Sequence, residues 1–343
     1  MNNLLKIILI IITIILIFYS LNIILKSKEH MSMKNTKLNT ILNENDYEVD
    51  TENYIIKKCN DENNCIIRKY ESLHFNNNES HNLAKNKPES NSIFMKNNIP
   101  VPNHKIIDKN NKTYYLNEFE IEYPCVLKPV DGMQGTDVNT FIKNKKQFTI
   151  ILNKLLDKYT KIMYENQVYG INYRIFVFND EIMDVIKREQ PFIIGNGSSN
   201  IDTLIEDKNK LQKDKNLFPT KNIDYDYILE QGYKRDDILE VNKKIFITNT
   251  INFHNGANPV RIDLNNIPKI NKDIFIKAHK LIGLECSGID YMSNDITIPY
   301  NENDGHIIEI NDMVDTKIHS DADNGADPNF LFNNILKSLM TNL

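Results

Sequence analysis

Cysteine is scarce in this chain, and the patterns that would give it a task are missing. Four cysteines stand in 343 residues, with no CxxC and no Cys/His cluster. That excludes a scaffold stapled by disulfides and a zinc site. Cys59 and Cys65 are close enough to pair, but such sparse usage reads as reduced thiols in a cytosolic setting. Positive charge is not concentrated either. The 41 Lys and Arg are scattered among 46 Asp and Glu for a formal charge of −5, and no basic stripe forms, so nucleic acid is not an expected partner. No internal repeat is visible, and no basic amphipathic helix is present to lay a domain on a bilayer. The abundance of Asn, as at Asn76 to Asn78, is compositional and says nothing about activity.

One long apolar run is present. Residues 7–25 hold enough consecutive Ile, Leu and Phe to span a bilayer as a helix, giving a transmembrane anchor over residues 4–26. A cleaved signal peptide is the alternative, but the run exceeds an ordinary signal core and no small-x-small cleavage site follows. Lys26, Lys28, Lys34 and Lys37 follow the run and Lys6 alone precedes it, so the positive-inside tendency puts the bulk of the chain on the cytoplasmic side.

Residues 27–85 are polar and weakly patterned, and read as a tether with one short hairpin around Tyr54-Ile55-Ile56 and Cys65-Ile66-Ile67. From residue 86 to 343 the pattern is globular. Strand candidates are 126–127, 161–164, 173–178, 181–186, 245–248 and 306–310. Helical spacing links Phe148, Ile151, Leu152, Leu155, Leu156 and Tyr159, and again Ile274, Ile276, Ala278, Leu281 and Ile282; a further helix covers 330–339. The order of elements is α+β or mixed α/β rather than a regular βαβ repeat.

Three groups carry chemistry. In Tyr123-Pro-Cys-Val-Leu-Lys128-Pro-Val-Asp-Gly132-Met-Gln-Gly135, a short buried strand ends in a lysine facing a glycine-bearing loop, an arrangement suited to a nucleoside triphosphate. In His306-Ile-Ile-Glu309-Ile-Asn311, positions two apart on a strand share a face, so Glu309 and Asn311 present oxygen ligands side by side, with Asp290 on another strand. Hard oxygen ligands of this kind suit Mg2+, completed by water and phosphate; the same residues also fit a turn and the polar face of an edge strand. Arg174 and Arg188, on adjacent antiparallel strands, form a cationic surface for a phosphoryl or carboxylate group.

These motifs together resemble the ATP-grasp domain of cyanophycin synthetase and of bifunctional glutathione synthetase, from about Lys87 to the C-terminus. Lys87 and Lys128-Pro stand where that family has its two nucleotide lysines. Gly170-Ile-Asn172-Tyr-Arg174 resembles G-x-D-x-R, and Arg188 the arginine of R-x-P. Gly195-Asn-Gly197, Leu204-Ile-Glu206 and Asn209 follow in order, as do Asp290, Glu309, Asn311 and His319. There are departures. Asp137 stands where the family commonly has glycine, which adds negative charge near the triphosphate, and Asn172 replaces an acid. Asn252-Phe-His-Asn-Gly256-Ala with Pro259-Val-Arg261 replaces the N-x-S-x-G-G stretch, and Met313-Val-Asp315 a Pro-Gly turn. The amino-terminal domain of the relatives and the Mur-ligase-like module are absent from the sequence.

The resemblance implies an ATP-grasp fold, two α+β lobes clasping ATP, behind the amino-terminal helix. It implies an ADP-forming carboxylate–amine ligase that works through an acyl phosphate on a small carboxylate and an amino acid or peptide amine. Lys87, Lys128, Gly132, Gly135, Glu165 and Asn172 would bind ATP, Glu165 at the hinge near adenine and ribose. Asp290, Glu309 and Asn311 would hold Mg2+, Arg174 and Arg188 would be catalytic, and a homo-oligomer is in keeping with relatives. The rival reading is a weakly active or inactive ATP-binding interaction module tethered to the membrane, suggested by Asp137 and the altered acceptor stretch.

Overall fold

The computed structural model describes residues 43, 48–50, 55–61, 64–69, 75–132, 136–214, 217–248, 251, 253–314, 318, 319, 322, 334, 335 and 338. The apolar run 7–25 and most of 330–339 lie outside them. Among the described residues no helix is long and apolar enough to cross a membrane.

Strands β1 (Glu48–Asp50), β2 (Ile55–Asp61) and β3 (Asn64–Lys69) form a small antiparallel sheet in that order, which contains the expected hairpin. Cys59 faces Cys65 in the register and is held in a disulfide, where reduced thiols were expected. Directly opposed residues of an antiparallel pair lie within the Cα separation that a disulfide needs.

The packed body starts ahead of the expected boundary at 86. Phe75 is buried edge-on against Phe178, at 5.5 Å between ring centroids. Asn76 is buried too, and its amide pins the entering chain: Nδ2 donates to the Cys286 and Asp312 carbonyls and Oδ1 accepts from the Glu285 and Cys286 amides. A buried amide with all these bonds made is a structural plug rather than a compositional accident. Helix α1 (Asn78–Lys85) then starts on an Asn77 cap that accepts from the Ser80 amide, and α2 (Lys87–Lys96) follows with Pro in its first turn.

The first lobe comprises β4 (His104–Asp108), α3 (Lys112–Asn117), β5 (Cys125–Pro129), β6 (Asn139–Ile142), α4 (Lys145–Lys158) and β7 (Lys161–Asn166). Its four strands pair antiparallel in the order β4-β7-β5-β6. The spacing of Phe148, Leu152, Leu155 and Leu156 gives α4 one apolar stripe, which buries against Ile107, Cys125, Leu127, Ile162 and Tyr164 on one sheet face. Each such fully buried side chain contributes about 1.5–3 kcal/mol. Strand alternation therefore turns Val126, Lys128, Met163 and Glu165 to the other face.

The second lobe is built from β8 (Ile171–Phe178) and β9 (Glu181–Glu189), then β10 (Phe192–Ile194), α5 (Ile201–Asp214), α6 (Tyr225–Glu230) and β11 (Lys244–Phe246), and finally β12 (Asn258–Arg261), α7 (Lys269–Ile282), β13 (Cys286–Ser293) and β14 (His306–Asn311). Its main sheet is five-stranded and antiparallel, in the order β12-β9-β8-β13-β14. Tyr173, Ile175, Val177, Ile289 and Tyr291 pack from one face onto Phe275, Ala278 and Ile282 of α7 and Phe94 of α2. The segment from β10 to β11 has a small core of its own around Ile201, Leu204, Ile228 and Ile245.

Candidate active site

The polar face of the five-stranded sheet is set by register. Residues directly opposed on neighbouring antiparallel strands point to the same side. Arg261 lies opposite Ile186, Ile186 opposite Arg174, Arg174 opposite Asp290 and Asp290 opposite Glu309, so one row crosses the whole sheet. In the next row Arg188 lies opposite Asn172. Because α7 takes the apolar face, these charged residues all look the other way.

They are tied together. Asp290 Oδ1 lies 3.0 Å from Arg174 Nη1 and 3.1 Å from Arg188 Nη2. Arg188 Nη1 donates to Asn172 Oδ1 at 3.0 Å, and Arg174 Nη1 also donates to the Gly288 carbonyl at 3.2 Å. The Arg174 guanidinium lies flat over Gly288: a Cβ there would come 2.9 Å from Cζ, which explains glycine at that position of the strand. Burial, with Arg174 beside it, holds the Arg188 guanidinium below its ordinary value despite Asp290.

The facing sheet supplies Lys128 and Glu165. Both are almost fully buried, with Nζ 2.8 Å from Oε2. Burial alone would lower the Lys128 ammonium; Glu165, Glu309 and Asp290 raise it, and the raising wins. Glu309 and Asp290 belong to the other lobe, so the two charged faces act on one another. Lys87, at the start of α2, closes the group: its Nζ donates to the Gly132 carbonyl at 2.5 Å and lies 3.4 Å from Glu309 Oε1. Four cations, Lys87, Lys128, Arg174 and Arg188, thus stand against three carboxylates, Glu165, Asp290 and Glu309. Glu165 Oε1, Arg174 Nε and Arg188 Nε are buried with no partner. A surplus cation and orphaned polar atoms between two sheets fit an anionic ligand that also carries hydrogen-bonding groups.

Among the expected metal ligands, Glu309 and Asp290 are cross-strand partners and Asn311 shares the Glu309 face of β14. Both carboxylates are ion-paired here, and among the described residues no three acidic, histidine or cysteine side chains gather as a cage. Two carboxylates and an amide fit Mg2+, which keeps several waters and is bound partly through phosphate.

One expectation changes. Asp137 does not add its charge to the site, because its carboxylate is bound by Lys158 and Tyr159 at the end of α4 and is held below the usual carboxylate range by them. Its φ of +56° explains why a glycine suits this position, and Asp is among the residues that tolerate it. Asn209 clasps Thr220 through two hydrogen bonds, at 2.8 and 3.0 Å, and Leu204 lies in the small core, so both support the lobe. Gly135, Asn252 and Asp315 lie outside the described residues.

Sequence reasoning missed Asp184. It is buried, lies 3.0 Å from His319 Nδ1 and accepts from Arg261 Nε at 3.1 Å, while Arg261 Nη2 donates to the His319 carbonyl. This triad extends the polar face beyond Arg174. The spacing of Asp184, Ile186 and Arg188, two apart on one strand, was the available signal.

Two facing α+β lobes, Lys128 and Glu165 on one and Arg174, Arg188, Asp290 and Glu309 on the other with Lys87 beside Glu309, have the arrangement of the ATP-grasp fold. Residues 84–200 match the RimK-like ATP-grasp domain family. The chain is similar to cyanophycin synthetase of Geminocystis herdmanii, 28% identical over 260 residues that cover 69% of this chain and 28% of that one. It is also similar to the bifunctional glutathione biosynthesis protein of Clostridium perfringens, 26% identical over 249 residues, 69% of this chain and 32% of that one. The chain thus spans less than a third of the length of these relatives. The crystal structure of a bifunctional glutathione synthetase from Pasteurella multocida superposes with a TM-score of 0.59 at 20% identity, covering 87% of this chain and 42% of that one.

Proposed function

We propose that the chain is an ADP-forming ATP-grasp ligase that joins a carboxylate to an amine. The observation that carries this is the pair of charged faces: Lys128 and Glu165 opposite Arg174, Arg188, Asp290 and Glu309, with Lys87 beside Glu309 and buried polar atoms left unpartnered between them. Lys87 and Lys128 hold the phosphates of ATP, with Gly132 beside them, Asn172 by the ribose and Glu165 by the base. Asp290, Glu309 and Asn311 hold Mg2+, which when bound offsets phosphate charge. A carboxylate oxygen of the substrate attacks the γ-phosphorus, the bond to ADP breaks, and an acyl phosphate forms. The amine then attacks the acyl carbon, phosphate leaves with its bonding pair, and the nitrogen gives its surplus proton to the departing phosphate. Arg174 and Arg188, released from Asp290 by the incoming anion, hold the acyl phosphate and the developing oxyanion.

The reading of an inactive module loses one of its two supports, since Asp137 is neutralised at α4. Hydroxylamine tests the ligase reading directly. With ATP, Mg2+ and a panel of amino acids and small carboxylates, the protein should release ADP and yield a hydroxamate, and Lys128→Ala and Arg188→Ala should not. AMP and pyrophosphate as products would refute it.

The run 7–25 serves as a membrane anchor in this proposal, with the catalytic body on the cytoplasmic side that the lysine flank favours. The disulfide at Cys59 favours the opposite, oxidising side, and labelling of engineered surface cysteines from either side decides between them.

A further inference from the structure

His104 is a polar side chain on the ligand-facing side of the first lobe that the ligase chemistry does not use. It stands on β4 directly opposite Glu165 of β7, and Val126 stands opposite Glu165 on the other flank, so all three share the face that carries Lys128. Opposed residues of this kind bring their Cβ atoms to within about 4.5–5.5 Å. Glu165 Oε2 is engaged by Lys128, while Glu165 Oε1 is buried and unpartnered. The same is true of His104 Nδ1. Two orphaned polar atoms on cross-strand neighbours are unusual in a protein interior and point to a ligand that completes them.

Their chemical character narrows that ligand. Burial, assisted by Lys128 and opposed by Glu165 and the Pro102 carbonyl, holds the His104 imidazole below its ordinary value, so it is neutral at pH 7. In a neutral ring one nitrogen carries the proton and the other is a lone-pair acceptor, the part open to the unpartnered Nδ1. The Glu165 carboxylate is likewise an acceptor. Two adjacent acceptors match an amino group, which has two N–H bonds to give, and repel a carbonyl oxygen.

We propose that His104 and Glu165 together read the exocyclic amine of the nucleobase, which makes His104 a specificity-determining residue that selects adenine over bases with a carbonyl at the same position. The proposal rests on the ATP-binding reading above and adds to it His104 as a second group that reads the base. Hypoxanthine is the cleanest competitor, since it replaces the 6-amino group of adenine by a carbonyl.

The test uses the full chain in detergent, with the Mg2+ complexes of ATP and ITP measured by isothermal titration. The wild type should prefer ATP. His104→Leu should weaken ATP by about tenfold, the equivalent of one hydrogen bond between buried groups, and leave ITP unchanged. His104→Gln keeps an acceptor oxygen and should retain most of the preference. Equal binding of ATP and ITP by the wild type overturns the proposal, as does a His104→Leu protein that loses both nucleotides alike, which is the signature of a structural role. If the wild type binds no nucleotide, the ATP-grasp ligase reading fails as well; tight ATP binding with undiminished preference in His104→Leu overturns this inference alone.

Discussion

Gly288 controls Arg174 without touching any ligand. Its missing side chain is the space in which the guanidinium lies, and a Cβ would meet Cζ, Nε and Nη1 at 2.9–3.1 Å. Gly288→Ala should therefore keep the fold, because the clash is with the far end of a long side chain, while Arg174 is displaced from Asp290. A misplacement of about 1 Å in a positioned group costs about 10²-fold in rate. ADP release by Gly288→Ala should fall by that order with an unchanged far-ultraviolet spectrum; normal turnover would show that Arg174 needs no such placement. The named residues of the sequence reading, Lys87, Lys128, Glu165, Asn172, Arg174, Arg188, Asp290 and Glu309, are brought together by the fold, yet their mutual pairing was not legible in sequence. Which cation meets which acid depends on cross-strand register, and register joins residues as far apart as Arg174 and Asp290.

At the scale of elements, α7 is the helix on which the second lobe depends. Its apolar stripe of Ile274, Phe275, Ala278 and Ile282 includes a fully buried histidine, His279, whose Nδ1 meets Ser287 Oγ at 2.7 Å. Burial, only partly opposed by Asp180, holds His279 down to about 4. The unfolded imidazole takes its proton near 6.5 and the folded one only near 4, so between these values the unfolded state binds more protons and stability falls as pH falls. The loss should reach roughly 3 kcal/mol by pH 4. Urea unfolding of the wild type and His279→Gln from pH 7 to pH 4 should show the wild type losing stability faster; parallel curves would rule this contribution out. Elements with clear periodicity, such as α4, α7 and β8, were readable in advance. Helix α2 and strands β4 and β12 were not, because Lys87–Lys96 carries little apolar pattern and the two strands are short and interrupted by polar residues or Pro259.

For the whole molecule, the apolar run 7–25 predicts that the full chain stays in membranes through a carbonate wash, whereas a chain starting near residue 30 is soluble. Full-length protein in the soluble fraction, or a mature amino terminus near residue 26, would favour a cleaved signal. The sequence by itself determined the kinds of chemistry available: two lysines, two arginines and an acid–acid–amide set, because side-chain type and period-two spacing are local properties. It also determined the α+β class. Only the tertiary structure decided that Asp137 is neutralised at α4, that Asp184, Arg261 and His319 form a buried triad, that Asn76 plugs the body, and that Lys128 answers to acids on the opposite lobe. These depend on groups far apart in the chain meeting in space. Burial then sets the strength and sign of each interaction, and burial belongs to no single stretch of sequence.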